Sequence, residues 1–460
     1  METLLFHEIV KAIDGEILKK TTKEQFDSVI IDSRKITEGC IFLALKGDNF
    51  DANEFVIDSS KKGAKLCIID NLCFSLKEVA ENTSIILVKD SKKALLDLAE
   101  YYRTKLNIKV IGITGSTGKT STKDILAAML SEKFKVFKTK GNFNNEIGLP
   151  LMIFQLNDSY DVAVLEMGMS GFGEINNLAR VARPDLAIIT NIGVSHIEHL
   201  KTRENILKAK LEIVNYFSEK SSLIVNGEND LLSTLSSNKF DLFKIGLDRN
   251  KNTFATDIEI LPASSKFKVV TFNGTHEFNL NMPGEHNILN TLLCIECCEL
   301  LGMSFEEMEK GLNNIERTSM RLDIVKGDKF TIIDDCYNAS PDSTKAAIEV
   351  LASFKDKRKV AILGTMKELG EEAYKHHESV GKHLKKNNID ILVSCGEYGK
   401  AYFGGFEKEN NSFLFANIEE MASNISFLLK KDDVLLVKAS RSEKFENIVN
   451  LLKSLDIKGE

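Results

Sequence analysis

Apolar and polar positions along this chain fall into short runs whose period changes repeatedly. Near the start, Leu4, Leu5, Ile9 and Ile13 share one face at helical spacing and predict a helix. Residues 29–31, 40–45, 66–69 and 85–88 are short apolar runs that read as strands, and a helical pattern over 91–106 closes this first part. Residues 109–114 form a β-branched run leading into glycine, the pattern of a strand buried on both faces. From there strand and helix alternate: a helix over 119–132, strands over 162–165 and 186–190, a helix over 203–216 and a strand over 223–225. That is the rhythm of a doubly wound parallel sheet. Residues 248–282 are polar and alternating, and Val269, Val270 and Phe272 favour antiparallel strands there. Helices follow Pro283 and Gly284 and cover 305–313. Beyond a boundary near 317–320 the alternation restarts, with strands over 330–333, 359–363, 389–394 and 434–437. Helices in this last part begin at Pro341, Gly370, Glu419 and Glu443.

The fold class is therefore α/β, in three domains over 1–106, 107–318 and 319–460. A length of 460 residues agrees with three domains at about 150 residues each. An apolar share of 43% is enough for real cores and excludes a disordered chain. The 60 lysines and arginines against 67 aspartates and glutamates leave a net charge of −7, which argues against a nucleic-acid coat. Anionic ligands must then be held by local sites rather than by the field of the whole molecule. No uncharged stretch approaches the roughly 18 residues of a membrane helix. The start carries Glu2 where a secretion signal wants bases, so a cytoplasmic protein with no membrane insertion is expected. Cys294 and Cys297 form a C-x-x-C inside a helical pattern, and no second pair stands at zinc spacing, so the cysteines read as reduced and buried.

The chemistry concentrates where the strand 109–114 meets Gly115, Ser116, Thr117, Gly118, Lys119, Thr120 and Ser121, with a helix following. Glycines let backbone N–H groups crowd a phosphate, and the helix N-terminus adds its dipole. Lys119 can reach the terminal phosphates and the Thr120 hydroxyl can ligate Mg²⁺. Position 113 is Ile where the common nucleotide loop has glycine, so this loop is a short variant. Glu166 ends the next apolar strand, the edge at which α/β sheets keep their sites, although position alone also fits a surface glutamate. His196 and His199 stand three apart after the strand 186–190, so a helix could align them; taken alone, His196 reads as a solvated or capping histidine. Lys210, inside a helical pattern, reads by itself as a solvated lysine.

In order along the chain these motifs resemble the Mur ligase family. Asp32-Ser33-Arg34 and the run 39–47 are similar to its uridine-nucleotide domain, and residues 114–120 to its short ATP loop. Residues 141–150, Glu166-Met167-Gly168, Asn191 to His196, Ala209-Lys210 and residues 284–290 follow in the family's order. In the last part, residues 334–343, residues 364–370 and His377 resemble the branch that adds a dipeptide. The Asp-Asn-Pro-Arg run of the branch that adds the third residue is absent. The resemblance implies a small α/β uridine-binding domain, a central P-loop-type ATPase domain and a C-terminal Rossmann-like domain. It also implies a monomeric ligase of two small molecules, a UDP-N-acetylmuramoyl-tripeptide and D-alanyl-D-alanine, with ATP and two Mg²⁺ ions.

Residue by residue, the resemblance implies Mg²⁺ on Thr120 and Glu166, and a second ion on His196 near a carbamylated Lys210. It places Asn290 at the adenine, and Arg321 and Asp335 at the phosphates and ribose. Asn145 would lie near the carboxylate being activated, Ser33 and Arg34 at the uridine end, and Asn338 and His377 at the substrate. Two positions depart from the family: Asn53 stands where a histidine is frequent, and Ala439 where glycine is usual, which would strain a backbone with positive φ. A sister ligase adding the third residue, or a folylpolyglutamate synthase, would share the central part. An inactive ATP-binding homologue would have lost Lys119, Glu166, His196 or Lys210, and all four are present.

Overall fold

The structure is a computed structural model; it describes residues 1–457 apart from 48 and 317. Residue 317, at the expected domain boundary, lies outside the described residues. The chain forms two compact units, one of Met1–Gly112, Phe134–Ala187 and Leu211–Ser221, the other of Ile113–Lys133, Ile188–Lys210 and Ser222–Glu460.

The first unit opens with a correction. Leu4 and Leu5 are not helical; they pair antiparallel with Phe26 and Gln25, and the helix starts only at Phe6 and ends at Ala12. A strand of two residues leaves no period to read, and the neighbouring helix lent it one. The first sheet has the order Glu16–Lys19, Ser84–Leu87, Leu66–Ile69, Ile41–Leu43 and Val29–Ile30. Its first pair is antiparallel and the rest are parallel. Leu66, Cys67, Ile68 and Ile69 have no exposed surface, as an apolar run between parallel neighbours requires. The helix Ser91–Thr104 is capped by Asp90, whose carboxylate accepts from Lys93 N at 2.9 Å. This unit also holds the parallel pair Val136–Lys138 and Val162–Glu166. Its helices Gly148–Ile153 and Glu174–Ala182 escaped the sequence analysis; the first is only six residues long and starts with a glycine.

In the second unit, Ser222–Asn226, Asp241–Gly246 and Thr253–Ile260 lie side by side in parallel, and Ser265–Thr271 and Gly274–Leu280 continue as antiparallel strands. Phe267, Val269, Phe278 and Leu280 point inward from these last two strands, so the alternation in 248–282 reflects one buried and one wet face. The last sheet has the order Asp323–Lys326, Phe330–Asp334, Asp433–Lys438, Lys359–Leu363, Ile391–Cys395 and Ser412–Phe415. Only the first pair is antiparallel. Helices Pro341–Ala352 and Ala373–Lys386 cover one face, and Glu446–Ile457 packs on the other.

All eight cysteines are free and only Cys73 is exposed. Cys294 and Cys297 sit in the helix Glu285–Leu300, and burial pushes both thiols up, so neither is a ready thiolate. Among the described residues no helix is long and apolar enough to cross a membrane.

Candidate active site

The strand Lys109–Thr114 delivers the chain to Gly115, and the helix Lys119–Leu130 begins after Gly118. Two glycines make the turn. Gly115 has φ +151, and a Cβ there would stand 1.8 Å from Oγ1 of Thr190. Gly118 has φ +81, and its Cβ would stand 2.9 Å from Oδ1 of Asn290. Neighbouring backbone and side chains brace the loop. Ser116 N donates to Asn191 O at 3.0 Å and Thr117 N to Asn191 Oδ1 at 2.8 Å. Thr190 Oγ1 donates to Thr117 O at 2.5 Å, and Gly193 N to Ser116 Oγ at 2.9 Å. Lys119 Nζ donates to Gly115 O at 2.8 Å, folded over the loop it would serve. Thr120 is buried in the first turn of the helix, and Ser121 follows it.

Lys210 overturns the bland reading of its sequence. It is 1% exposed, and burial, together with the nearby charge of Lys119, holds its amine well below the ordinary lysine range. Its helix, Arg203–Leu211, therefore buries a lysine rather than displaying one. His196 is not aligned with His199 on a helix: it caps the four-residue helix Ile197–Leu200 with φ +63, and His199 is exposed. Its Nδ1 lies 2.5 Å from Oε2 of Glu368, although the angle falls short of an aligned hydrogen bond.

Glu166 and Asn145 belong to the first unit. Glu166 is 3% exposed at the end of its strand; Asn144 Nδ2 donates to its Oε1 at 2.8 Å and its own N donates to Thr139 Oγ1 at 2.9 Å. Its burial rules out the surface glutamate that position alone allowed. Asn145 is exposed, and its Oδ1 accepts from Ile147 N at 3.2 Å and Gly148 N at 2.8 Å, bracing the turn that leads into the helix Gly148–Ile153. In the same unit Arg34 grips Asp32 with two bonds of 2.8 and 2.9 Å. The guanidinium holds the Asp32 carboxyl down to about 2. Ser33 O accepts from Lys62 Nζ at 3.4 Å. Asn53 is fully buried and spends its amide on Asp51 at 2.6 Å and Asp70 at 2.8 Å, so it is an internal strut.

In the last part of the chain, the Arg321 guanidinium lies 4.2 Å from the centre of the Tyr337 ring, and Arg441 approaches the same ring at 5.9 Å. Asp335 is paired with Lys438, and accepts from Leu322 N at 3.1 Å; burial nonetheless pushes its carboxyl up. Lys438 Nζ also donates to Asn338 O at 2.9 Å, leaving the Asn338 side chain at the surface. His377 is not placed to touch a substrate. It is fully buried, its Nε2 accepts from Met366 N at 2.9 Å, and its Nδ1 donates to Ala373 O at 2.6 Å. Tyr398 stacks on the ring at 4.5 Å, and burial lowers the His377 pKa to about 4. Its service is to hold the loop after the strand Lys359–Leu363. The backbone at Ala439 has no positive φ, so alanine there is unstrained; it packs against Gly364.

Asn144, Asn191, Glu368 and Lys438 are the side chains sequence reasoning passed over as individual candidates. Each lay inside or beside a quoted motif, but a motif does not say which of its amides faces the site.

A strand, a short glycine loop and a helix opening with lysine define a nucleotide-binding α/β protein of the P-loop type. Comparison with known proteins narrows this class. Residues 113–298 match the model of the Mur ligase middle domain, and residues 320–441 that of the Mur ligase, glutamate ligase domain. The UDP-N-acetylmuramoyl-tripeptide–D-alanyl-D-alanine ligase of Bacillus subtilis is 36% identical over 447 residues, covering 95% of this chain and 96% of that protein. MurF from Acinetobacter baumannii has a solved structure that superposes with a TM-score of 0.91, at 29% identity, over 98% of this chain and 99% of that one. MurF from Thermotoga maritima, solved in complex with ADP, gives a TM-score of 0.84 at 28% identity over 93% of this chain and 97% of that one. The chain belongs to the Mur ligase family, in the branch of the UDP-N-acetylmuramoyl-tripeptide–D-alanyl-D-alanine ligases.

Proposed function

We infer that this chain is the ATP-dependent ligase that joins D-alanyl-D-alanine to a UDP-N-acetylmuramoyl-tripeptide, giving the UDP-linked pentapeptide used to build peptidoglycan. The observation that carries this is the full-length match to ligases of that name. Among the described residues, the three larger of the four sheets support a division of labour: residues 1–106 for the uridine nucleotide, 107–318 for ATP, and 319–460 for the dipeptide. The enzyme works in the cytoplasm, where ATP is available, and as a monomer.

A carboxylate is a poor electrophile, because its negative charge opposes an incoming amine. One oxygen of the tripeptide's terminal carboxylate attacks the γ-phosphorus of ATP; the new O–P bond forms as the bond to the β-phosphate oxygen breaks, and ADP leaves. The amine of D-alanyl-D-alanine then adds to the carbonyl carbon of the acyl phosphate. The tetrahedral intermediate collapses, the C–O bond to phosphate breaks, and the amine proton is lost to solvent or base.

The residues divide these tasks. Backbone N–H groups from Gly115 to Thr120 cradle the phosphates, Lys119 swings from Gly115 O to the γ-phosphate, and Ser121 backs the loop. Asn290, beside Gly118, contacts the adenine. Arg321 and Asp335 reach the phosphates and ribose, and Asn338 the substrate. Ser33 and Arg34 hold the uridine end, and Asn145 the activated carboxylate. Thr120 and the buried Glu166 offer the oxygen donors Mg²⁺ prefers; His196 and a carbamate on Lys210 would hold a second ion. Bound there, Mg²⁺ offsets the charge that gathers as phosphate meets carboxylate. The neutral, buried amine of Lys210 is the form that adds CO₂; its nitrogen bonds the CO₂ carbon and releases one proton to solvent, and the carbamate is an anion near the charge of Lys119.

The test is ADP release with UDP-N-acetylmuramoyl-tripeptide plus D-alanyl-D-alanine, against the same nucleotide with single amino acids and against folates. Turnover with the dipeptide alone is expected. Turnover only with a single amino acid would make the chain a sister ligase.

A further inference from the structure

We propose that Glu368 is a positioning residue for His196, and that the dipeptide-binding part of the chain thereby completes the ATP-binding part. The inference rests on the reading of His196 as a metal ligand.

Both residues stand in turns that follow strands, His196 after Leu186–Ile189 and Glu368 after Lys359–Leu363. Both are non-glycine residues with positive φ, +63 and +64, a strained conformation that persists only where surroundings impose it. The surroundings here are mutual. Oε2 of Glu368 lies 2.5 Å from Nδ1 of His196, and Glu198 N donates to Glu368 O at 3.3 Å. A Cβ on Gly370 would stand 3.4 Å from Cα of Glu198, so the two turns lie backbone against backbone.

The Glu368 turn is itself held from behind. His377 accepts from Met366 N at 2.9 Å, Ser440 Oγ accepts from Lys367 N at 2.9 Å, and Lys367 Nζ pairs with Glu443 at 3.2 Å. Glu368 is therefore presented by a fixed loop. A carboxylate 2.5 Å from Nδ1 attracts the imidazole proton to that nitrogen by its charge and so favours Nε2 as the lone-pair donor, the tautomer a metal ligand needs. Removing such a partner in other metal sites costs about 10–100-fold in metal affinity or activity.

The experiment compares wild type, Glu368→Ala, Glu368→Gln, His196→Ala and the Glu368/His196 double alanine variant. Each is loaded with a non-hydrolysable ATP analogue and titrated with Mn²⁺ by electron paramagnetic resonance. Melting temperature and the KM for UDP-tripeptide are measured alongside. Glu368→Ala should weaken Mn²⁺ binding about tenfold or more, with Glu368→Gln between it and wild type, and with the KM for UDP-tripeptide unchanged. The double variant should bind Mn²⁺ no more weakly than His196→Ala alone, since Glu368 acts through His196. If Glu368→Ala melts early, the near-isosteric Glu368→Gln carries the comparison. Weak binding in His196→Ala with wild-type binding in both Glu368 variants overturns the positioning role alone. Wild-type binding in His196→Ala overturns the metal-ligand reading, and this inference with it.

Discussion

Lys210, 1% exposed, is buried where the charge of Lys119 reaches it, and both burial and that charge favour its neutral amine. A buried lysine is costly to a fold and useful to a site. Replacing it with methionine, similar in length and apolar, should abolish turnover without lowering the melting temperature. Lys210→Ala should also be inactive; bicarbonate should not restore it, while acetate, which can stand in for the lost carboxylate oxygens, should restore a part. Near-wild-type rates in either variant would return Lys210 to a plain structural residue.

The same burial sets a pH dependence. The unfolded chain keeps the Lys210 proton up to about pH 10.4, whereas the folded chain releases it at lower pH. Between those values the unfolded state binds more protons, so this residue's contribution to stability rises with pH. The melting-temperature difference between Lys210→Met and wild type, in CO₂-free buffer, should therefore shrink as pH is raised from about 7 to about 10. A constant difference contradicts the buried neutral amine.

His377 supplies a pH effect in the acid range. Its folded pKa is lowered to about 4 by burial, against about 6.5 in the unfolded chain. As pH falls through that window the unfolded state takes up a proton that the fold excludes, so stability is lost. His377→Gln should flatten the acid limb of melting temperature against pH. Since the ring holds Met366 N, the variant should also raise the KM for the dipeptide more than that for ATP.

At the ATP loop, Gly118→Ala places a methyl 2.9 Å from Oδ1 of Asn290 and forces a left-handed residue, a cost of about 1–2 kcal/mol. The KM for ATP should rise about tenfold, with little change in melting temperature. Arg321→Ala should likewise raise the KM for ATP and leave that for UDP-tripeptide alone. Unchanged ATP kinetics in Arg321→Ala would mean that the last part of the chain does not act on the nucleotide.

The loop was legible because its signals are local: a β-branched run, two glycines that a Cβ would break, and a lysine opening a helix. The strand–helix alternation of 330–457 was legible for the same reason. What escaped depended on partners distant in sequence. Lys210 carries no local mark of burial; only the packed fold takes it from water. His377 looked like a ligand because a histidine in a matched motif invites that reading, yet both of its nitrogens are spent on backbone. Leu4 and Leu5 matched a helical period by chance, and their pairing with Phe26 and Gln25 is set by residues twenty positions on.

The central claim is that ATP activates the tripeptide carboxylate as an acyl phosphate before the dipeptide attacks. UDP-N-acetylmuramoyl-tripeptide carrying ¹⁸O in both oxygens of its terminal carboxylate tests it directly, by mass spectrometry of the released phosphate. The account predicts one ¹⁸O in each inorganic phosphate and one retained in the new amide carbonyl. Unlabelled phosphate accompanying pentapeptide formation would contradict it.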